Sequence, residues 1–282
     1  MSDRQTILVI MAHPDDEVLG IGATLARYSA AGARTVLVCA TRGEVGEIAD
    51  PALATPETLG AVREGELRCS CQELGIGELI FLDYRDSGMA GTDENRHPSA
   101  FMNADFEAVV EKVVRLVREL RPQVMVTFDR GGGYGHPDHI RAHEIATAAF
   151  VRAGDPTQFP DSVAGGLHAY SPQHLYYTAI PRSFFQSMFA RLKDMGVDLG
   201  PFGQIDLEKI GSPDAEITVA IDSGEYVKTK LRAFACHRTQ MDPNGVFSRL
   251  PEGVRMGFMA REHFVEYGVP ATGTLKTDLF SS

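Results

Sequence analysis

The chain of 282 residues carries 27 Lys and Arg against 38 Asp and Glu, a formal net charge of −11. With no basic run to offset it, that balance excludes a broad nucleic-acid-binding surface. Hydrophobic content of 44% and charged content of 23% describe a globular protein, and no apolar run is long enough to cross a bilayer, so no membrane partner is expected.

Met1-Ser2-Asp3-Arg4-Gln5 leads into a short strand-like run, without the longer apolar core and cleavage site of a secretory signal. The expected location is the cytoplasm. The four cysteines, Cys39, Cys69, Cys71 and Cys236, fit small buried residues in a reducing compartment. Cys69 and Cys71 lie two apart in a helical segment and point in different directions, which suits neither a disulfide nor a shared metal. Cys236-His237 lacks two further ligands for a metal site.

Ile7 to Met11 is an apolar run that predicts a buried strand. After it, Val18, Leu19, Ile21, Gly22 and Leu25 recur at helical spacing, with Pro14 suited to the first helical position and Asp15, Asp16 and Glu17 to the first turn. Thr35 to Ala40 reads as a second strand, ending in the loop Arg42-Gly43-Glu44-Val45-Gly46-Glu47. Leu59 to Leu74 is a helix stopped by Gly75, and Glu78 to Leu82 a third strand. The segment 88–103 is polar and turn-rich, a mobile loop beside the strand ends. Phe106 to Leu120 is the clearest amphipathic helix, ended by Pro122. Val124 to Phe128 is a fourth strand. It runs through Asp129-Arg130-Gly131-Gly132-Gly133-Tyr134-Gly135 into His136-Pro137-Asp138-His139, which opens another helix.

Alternation of strand and helix argues for a mostly parallel α/β sheet with helices on both faces over residues 1–165. A surface connection follows at 154–166. Strands are expected at 175–180 and 215–221, loop at 196–212, and a helix from Tyr226 to Phe234. This smaller C-terminal α/β portion, 166–282, is expected to cover the active-site edge of the sheet within one compact domain.

The two His-Pro-Asp junctions carry the chemistry. Either alone reads first as a turn and helix cap. Capping, however, does not call for His at both, each after an apolar strand and each with a second ligand type three residues on. In an open α/β sheet such loops meet at the carboxyl edge. There His13, Asp16 and His139 form a mixed nitrogen and oxygen metal set, with Asp15, His136 and Asp138 beside it. His143 falls four residues after His139, but no Glu follows the first His as in a zincin helix, so packing, or support of a ligand from behind, is expected of it. Gly131-Gly132-Gly133 lacks the Lys-Ser/Thr of a phosphate loop.

Ala12-His13-Pro14-Asp15-Asp16-Glu17 together with Gly133-Tyr134-Gly135-His136-Pro137-Asp138-His139 resembles the signature of the LmbE-like (PIG-L) N-deacetylases. Arg85-Asp86-Ser87-Gly88-Met89-Ala90-Gly91-Thr92 and Cys236-His237-Arg238-Thr239-Gln240 place the likeness nearest the mycothiol branch, which holds the N-acetylglucosaminyl-inositol deacetylase and the mycothiol-conjugate amidase. The resemblance covers residues 5–150 well and thins beyond them. It implies a Rossmann-like fold and His13, Asp16 and His139 as metal ligands. By the same likeness Glu47, Arg63 and Asp86 match positions that hold sugar and inositol hydroxyls.

Two imidazoles and one carboxylate leave open positions on a single divalent metal, the pattern of a catalytic site. Zn2+ suits it and Fe2+ does too. Such a metal activates water and polarises a carbonyl; an amide needs in addition a base and an acid. Asp15 is the expected base and proton carrier. His136, oriented or charged by Asp138, is the expected oxyanion donor, with Tyr134 as a second donor; the resemblance implies the same roles. His237 is expected to reach the substrate from the C-terminal wall. The expected reaction is hydrolytic removal of an acetyl group from a small GlcNAc-inositol-like amino-sugar. A thiol-conjugate amidase and a non-catalytic sugar-binding module are the alternatives, and the sequence leaves a homo-oligomer open.

Overall fold

A computed structural model describes residues 4–197, 207, 210–242, 245 and 250–281. Its elements are β1 (Thr6–Met11), α1 (Asp16–Ala30), β2 (Arg34–Cys39), α2 (Leu59–Leu74), β3 (Glu78–Phe81), α3 (Phe106–Leu120), β4 (Val124–Thr127), the helical turn α4 (Gly132–Gly135), α5 (Pro137–Arg152) and α6 (Pro160–Ala164). They continue through β5 (His174–Ala179), α7 (Arg182–Asp194), β6 (Val219–Asp222), α8 (Val227–Cys236), a helix we label α9 (Glu252–Met259), and β7 (Arg261–Glu266).

Among the described residues one sheet runs in the order β3-β2-β1-β4-β5-β7-β6. The β3 to β5 pairings are parallel, and β7 pairs antiparallel with both β5 and β6. β1 is central and every residue in it is buried, which is why it reads as a continuous apolar run rather than an alternating one. Each aliphatic side chain so buried contributes about 1.5–3 kcal/mol. From β1 the chain winds outward through β2 and β3, then returns to start β4 on the other flank. The crevice between the carboxyl ends of β1 and β4 is therefore the topological switch point, where such sheets bind ligands. Both His-Pro-Asp junctions leave strands there.

The expected mostly parallel α/β architecture is present, and so is α2, bounded as anticipated with Gly75 closing it. Several details differ. Pro14 does not open α1; the helix begins at Asp16, because Asp15 takes φ 110°, which helical geometry excludes. The segment 88–103 is anchored rather than loose. Ala100 and Phe101 are buried, and the Asn95 amide donates to the Ser87 and Met89 carbonyls. Part of the expected loop at 196–212 lies outside the described residues. β6 begins later than expected, after a 3-10 turn at Asp214–Glu216.

The cysteine expectation holds for Cys39 and Cys71 and is corrected for Cys69 and Cys236. Cys69 on α2 is bonded to Cys236 at the end of α8, 167 residues away in sequence, leaving Cys39 and Cys71 free and buried. The C-terminal portion does not stand apart as a second body. β5, β7 and β6 extend the same sheet, while α8 packs on α1 and α2. Among the described residues no helix is long and apolar enough to cross a membrane.

Candidate metal centre

His13 leaves β1 and is held by its own neighbour, its backbone N–H donating to Asp16 Oδ2 at 2.7 Å. His139 sits in the first turn of α5, three residues after His136, so the turn carries both rings toward the switch point. Gly132, at φ 62°, is pressed against this turn: a Cβ there would lie 2.8 Å from His139 Cβ. Only glycine satisfies both the backbone angle and that approach. Its carbonyl oxygen lies 3.1 Å from His139 Nδ1.

The three expected ligands converge. His13 Nδ1 lies 3.2 Å from His139 Nε2; Asp16 Oδ1 lies 3.3 Å from His139 Nε2, and Asp16 Oδ2 3.6 Å from His13 Nδ1. All three residues are buried. Tetrahedral bonds of about 2.0–2.1 Å separate ligand atoms by about 3.3–3.4 Å, so the side chains present fit one cation.

Hydrogen-bond partners then sort the imidazoles. His139 Nδ1 faces the Gly132 carbonyl, which only an N–H can satisfy, leaving Nε2 with its lone pair toward the cluster. His13 Nε2 faces Asp138 Oδ2 at 3.2 Å and Asp86 Oδ1 at 3.4 Å, which leaves Nδ1 as the nitrogen turned toward His139 Nε2 and Asp16. A carboxylate or carbonyl behind the ring is the usual means of fixing a ligating tautomer. His136 is the third imidazole within reach, its ring nitrogen within 4.8 Å of those of His13 and His139. Its Nδ1, however, accepts the Asp138 N–H at 3.2 Å. The neutral ring therefore carries its proton on Nε2, a donor and not a ligand. Burial first, then the neighbouring His13 and His139, pushes its pKa down to about 4, which keeps it neutral.

Asp138 is fully buried, and its carboxylate is taken by His13 Nε2, the Ser87 N–H at 2.9 Å and the Ser87 hydroxyl. It thus reaches His136 through its backbone, and its side chain orients a ligand. Ser87 was not assigned a role from sequence; nothing but its place in the Arg85–Thr92 stretch marks it.

Asp15 is partly exposed at the rim, and its carboxylate meets Arg63 Nη2 at 3.1 Å. Burial raises its pKa to about 6 against the pull of Arg63, with Asp16 raising it further. Burial acts to raise Asp16 too, but His139 and His13 hold it well below the usual carboxylate range.

Tyr134 is 67% exposed, and its ring meets His139 edge-on at 5.1 Å. Glu47 is exposed on the loop after β2. The other expected substrate contacts are buried and have protein partners. Arg63 is buried and donates to the Pro14 and Gly43 carbonyls at 2.6 and 2.8 Å, so tightly that a Cβ on Gly43 would lie 2.2 Å from its Nη1. Asp86 is buried, and accepts the Gly88 N–H at 2.8 Å. His237 is 1% exposed with Nε2 at 2.8 Å from Glu17 Oε1, which turns it away from solvent. His143 packs as expected, its ring on Tyr177 and Nδ1 2.9 Å from the Phe128 carbonyl.

Fold and site together define an α/β protein whose switch point gathers buried His and Asp side chains that could hold a metal ion. Comparison with known proteins narrows this class. Residues 8–150 match the family model PIG-L, GlcNAc-PI de-N-acetylase, and the chain belongs to that family. It is 39% identical over 297 residues to the 1D-myo-inositol 2-acetamido-2-deoxy-alpha-D-glucopyranoside deacetylase of Thermobifida fusca, covering 100% of both chains. Among solved structures it is similar to N,N'-diacetylchitobiose deacetylase from Pyrococcus horikoshii, with a TM-score of 0.67 and 21% identity over 95% of this chain and 85% of that one. It also resembles 4-carboxy-2-hydroxymuconate hydratase from Pseudomonas putida, with a TM-score of 0.60 and 16% identity over 96% of this chain and 99% of that one. At such identities the likeness speaks to fold alone, and a fold hosts more than one chemistry.

Proposed function

We propose that the protein is a metal-dependent N-deacetylase that removes acetyl from the amine of a small glucosamine-type substrate, GlcNAc-inositol in kind. The observation that carries this reading is the sorting of the three imidazoles by their hydrogen bonds. His13 Nδ1 and His139 Nε2 face each other beside Asp16 with their other ring nitrogens occupied, while His136 turns its Nε2–H outward from an occupied Nδ1. The deacetylase name of the full-length relative supports it.

His13, Asp16 and His139 would hold a divalent cation, zinc or iron(II), which would supply water activation and polarisation of the amide oxygen. Asp15, beside Asp16 and facing outward, takes the proton of the attacking water and delivers it to the departing amine nitrogen. His136 Nε2–H donates to the oxygen that gains charge in the tetrahedral species, and Tyr134 adds a second hydrogen bond from the rim. Asp138 and Asp86 hold His13 in its ligating tautomer. Glu47 contacts the sugar hydroxyls. One cation serves each chain, and the protein works in the cytoplasm on a free amino-sugar.

The test is a parallel assay of N-acetylglucosaminyl-inositol and an S-conjugated cysteinyl amide. Protein loaded with zinc, or with iron(II) under anaerobic conditions, is used for both. Stoichiometric acetate release from the first substrate, with little cleavage of the second, is expected. Tight sugar binding with no acetate released under either metal would sink the assignment.

A further inference from the structure

Asp15 has a backbone problem that its own sequence does not solve. At φ 110° and ψ −26° it occupies the left-handed side of the map, sparsely used by non-glycine residues. Such a conformation persists only where its surroundings impose it. Glu17 supplies the restraint: its Oε2 accepts the Asp15 N–H at 2.9 Å, while Arg63 ties the Pro14 carbonyl and the Asp15 carboxylate from the other side.

Glu17 is itself fully buried. Its second oxygen, Oε1, receives the Ser70 hydroxyl and His237 Nε2, the latter at 2.8 Å. A buried carboxylate needs such donors to stay put. The residues immediately before those two donors are Cys69 and Cys236, joined to each other. One covalent bond thus sets the register of both donors on a single oxygen.

We propose that Ser70, His237 and Glu17 form a positioning unit for Asp15, through which the C-terminal portion holds the base at its working angle. This rests on Asp15 being the base. None of the three touches substrate in this scheme; they act through the Asp15 backbone. His237→Leu removes a donor while keeping bulk, and His237→Gln restores an N–H of similar reach.

The experiment measures kcat, KM, bound metal and thermal midpoint for wild type, Asp15→Asn, His237→Leu and His237→Gln. Amide exchange over residues 13–18 is followed in parallel. Misplacing a catalytic group by about 1 Å costs on the order of 100-fold. We expect kcat to fall in His237→Leu by about 10- to 100-fold, with KM and metal content unchanged and faster exchange at Asp15. Most of the loss should return in His237→Gln. A His237→Leu enzyme with wild-type kcat overturns the positioning unit, as does a kcat loss that Gln leaves unrescued. If Asp15→Asn itself keeps wild-type kcat, the base assignment fails instead, so the two failures are told apart.

Discussion

The two carboxyl-edge junctions and the C-terminal portion contribute to the same site in opposite ways. The junctions after β1 and β4 bring His13, Asp16, His136 and His139 together directly, the first pair close behind β1 and the second at the start of α5, beyond the glycine-rich turn that follows β4. The C-terminal portion brings no expected metal ligand. It offers His237, which is 1% exposed, and a buried pair, Lys230 and Glu262, that reaches into α1. Glu262 accepts the Ala23 and Thr24 N–H groups at 3.1 and 2.7 Å, and Lys230 Nζ donates to the Leu19 carbonyl at 3.0 Å. One region supplies the chemistry; the other fixes the helix on which Asp16 and Glu17 ride.

Substitutions that separate those contributions sharpen the contrast. The largest effect is expected at a junction: Asp15→Asn should lower kcat by about 100- to 10,000-fold, as loss of a general base does. Metal content, read by elemental analysis, should stay at the wild-type level, and a fast variant would remove Asp15 from the mechanism. Next comes Lys230→Met. Leaving Glu262 buried and unpaired should cost about 3–5 kcal/mol of stability by denaturant unfolding, while the surviving folded fraction still binds metal. A neutral outcome would mean that α1 is held without the C-terminal pair.

Smaller again is the disulfide. Reducing Cys69–Cys236 should destabilise the protein by about 2–5 kcal/mol, in a chain-entropy view of a loop this long. Peptide mapping under non-reducing conditions checks the bond itself. Because disulfides persist in oxidising compartments, its state in cells also tests the proposed cytoplasmic location; a fully reduced pair in the native enzyme would leave Ser70 and His237 without their covalent tie.

The same contrast governs what could be read from the amino acids. β1, β4 and α2 were legible because their apolar patterns match what they bury, and the ligands were legible because they sit beside those strands. β7 was not foreseen. Its inward positions include Glu262 and Glu266, buried at 4% and 5% exposure, Glu262 paired with Lys230 and Glu266 in contact with Lys276 and His174 Nδ1, so it carries charge where a strand pattern calls for apolar residues. α7 was missed for the opposite reason: Leu192 is its one buried residue, which leaves little stripe to detect. Local spacing placed Pro14 at the helix start, whereas the backbone of Asp15 is set by Glu17 and Arg63, contacts that spacing does not encode. The cysteine pair was opaque likewise, its partners being brought together only by the packing of α8 on α2.

The most direct test of the account is metal stoichiometry after substitution of the two ligating imidazoles. Purified wild type, His13→Ala, His139→Ala and His136→Ala, each reconstituted anaerobically with excess zinc or iron(II) and then desalted, are compared by elemental analysis. The account predicts about one ion per chain in wild type and His136→Ala and almost none in the other two. Full occupancy in both His13→Ala and His139→Ala, or its loss in His136→Ala alone, would contradict it.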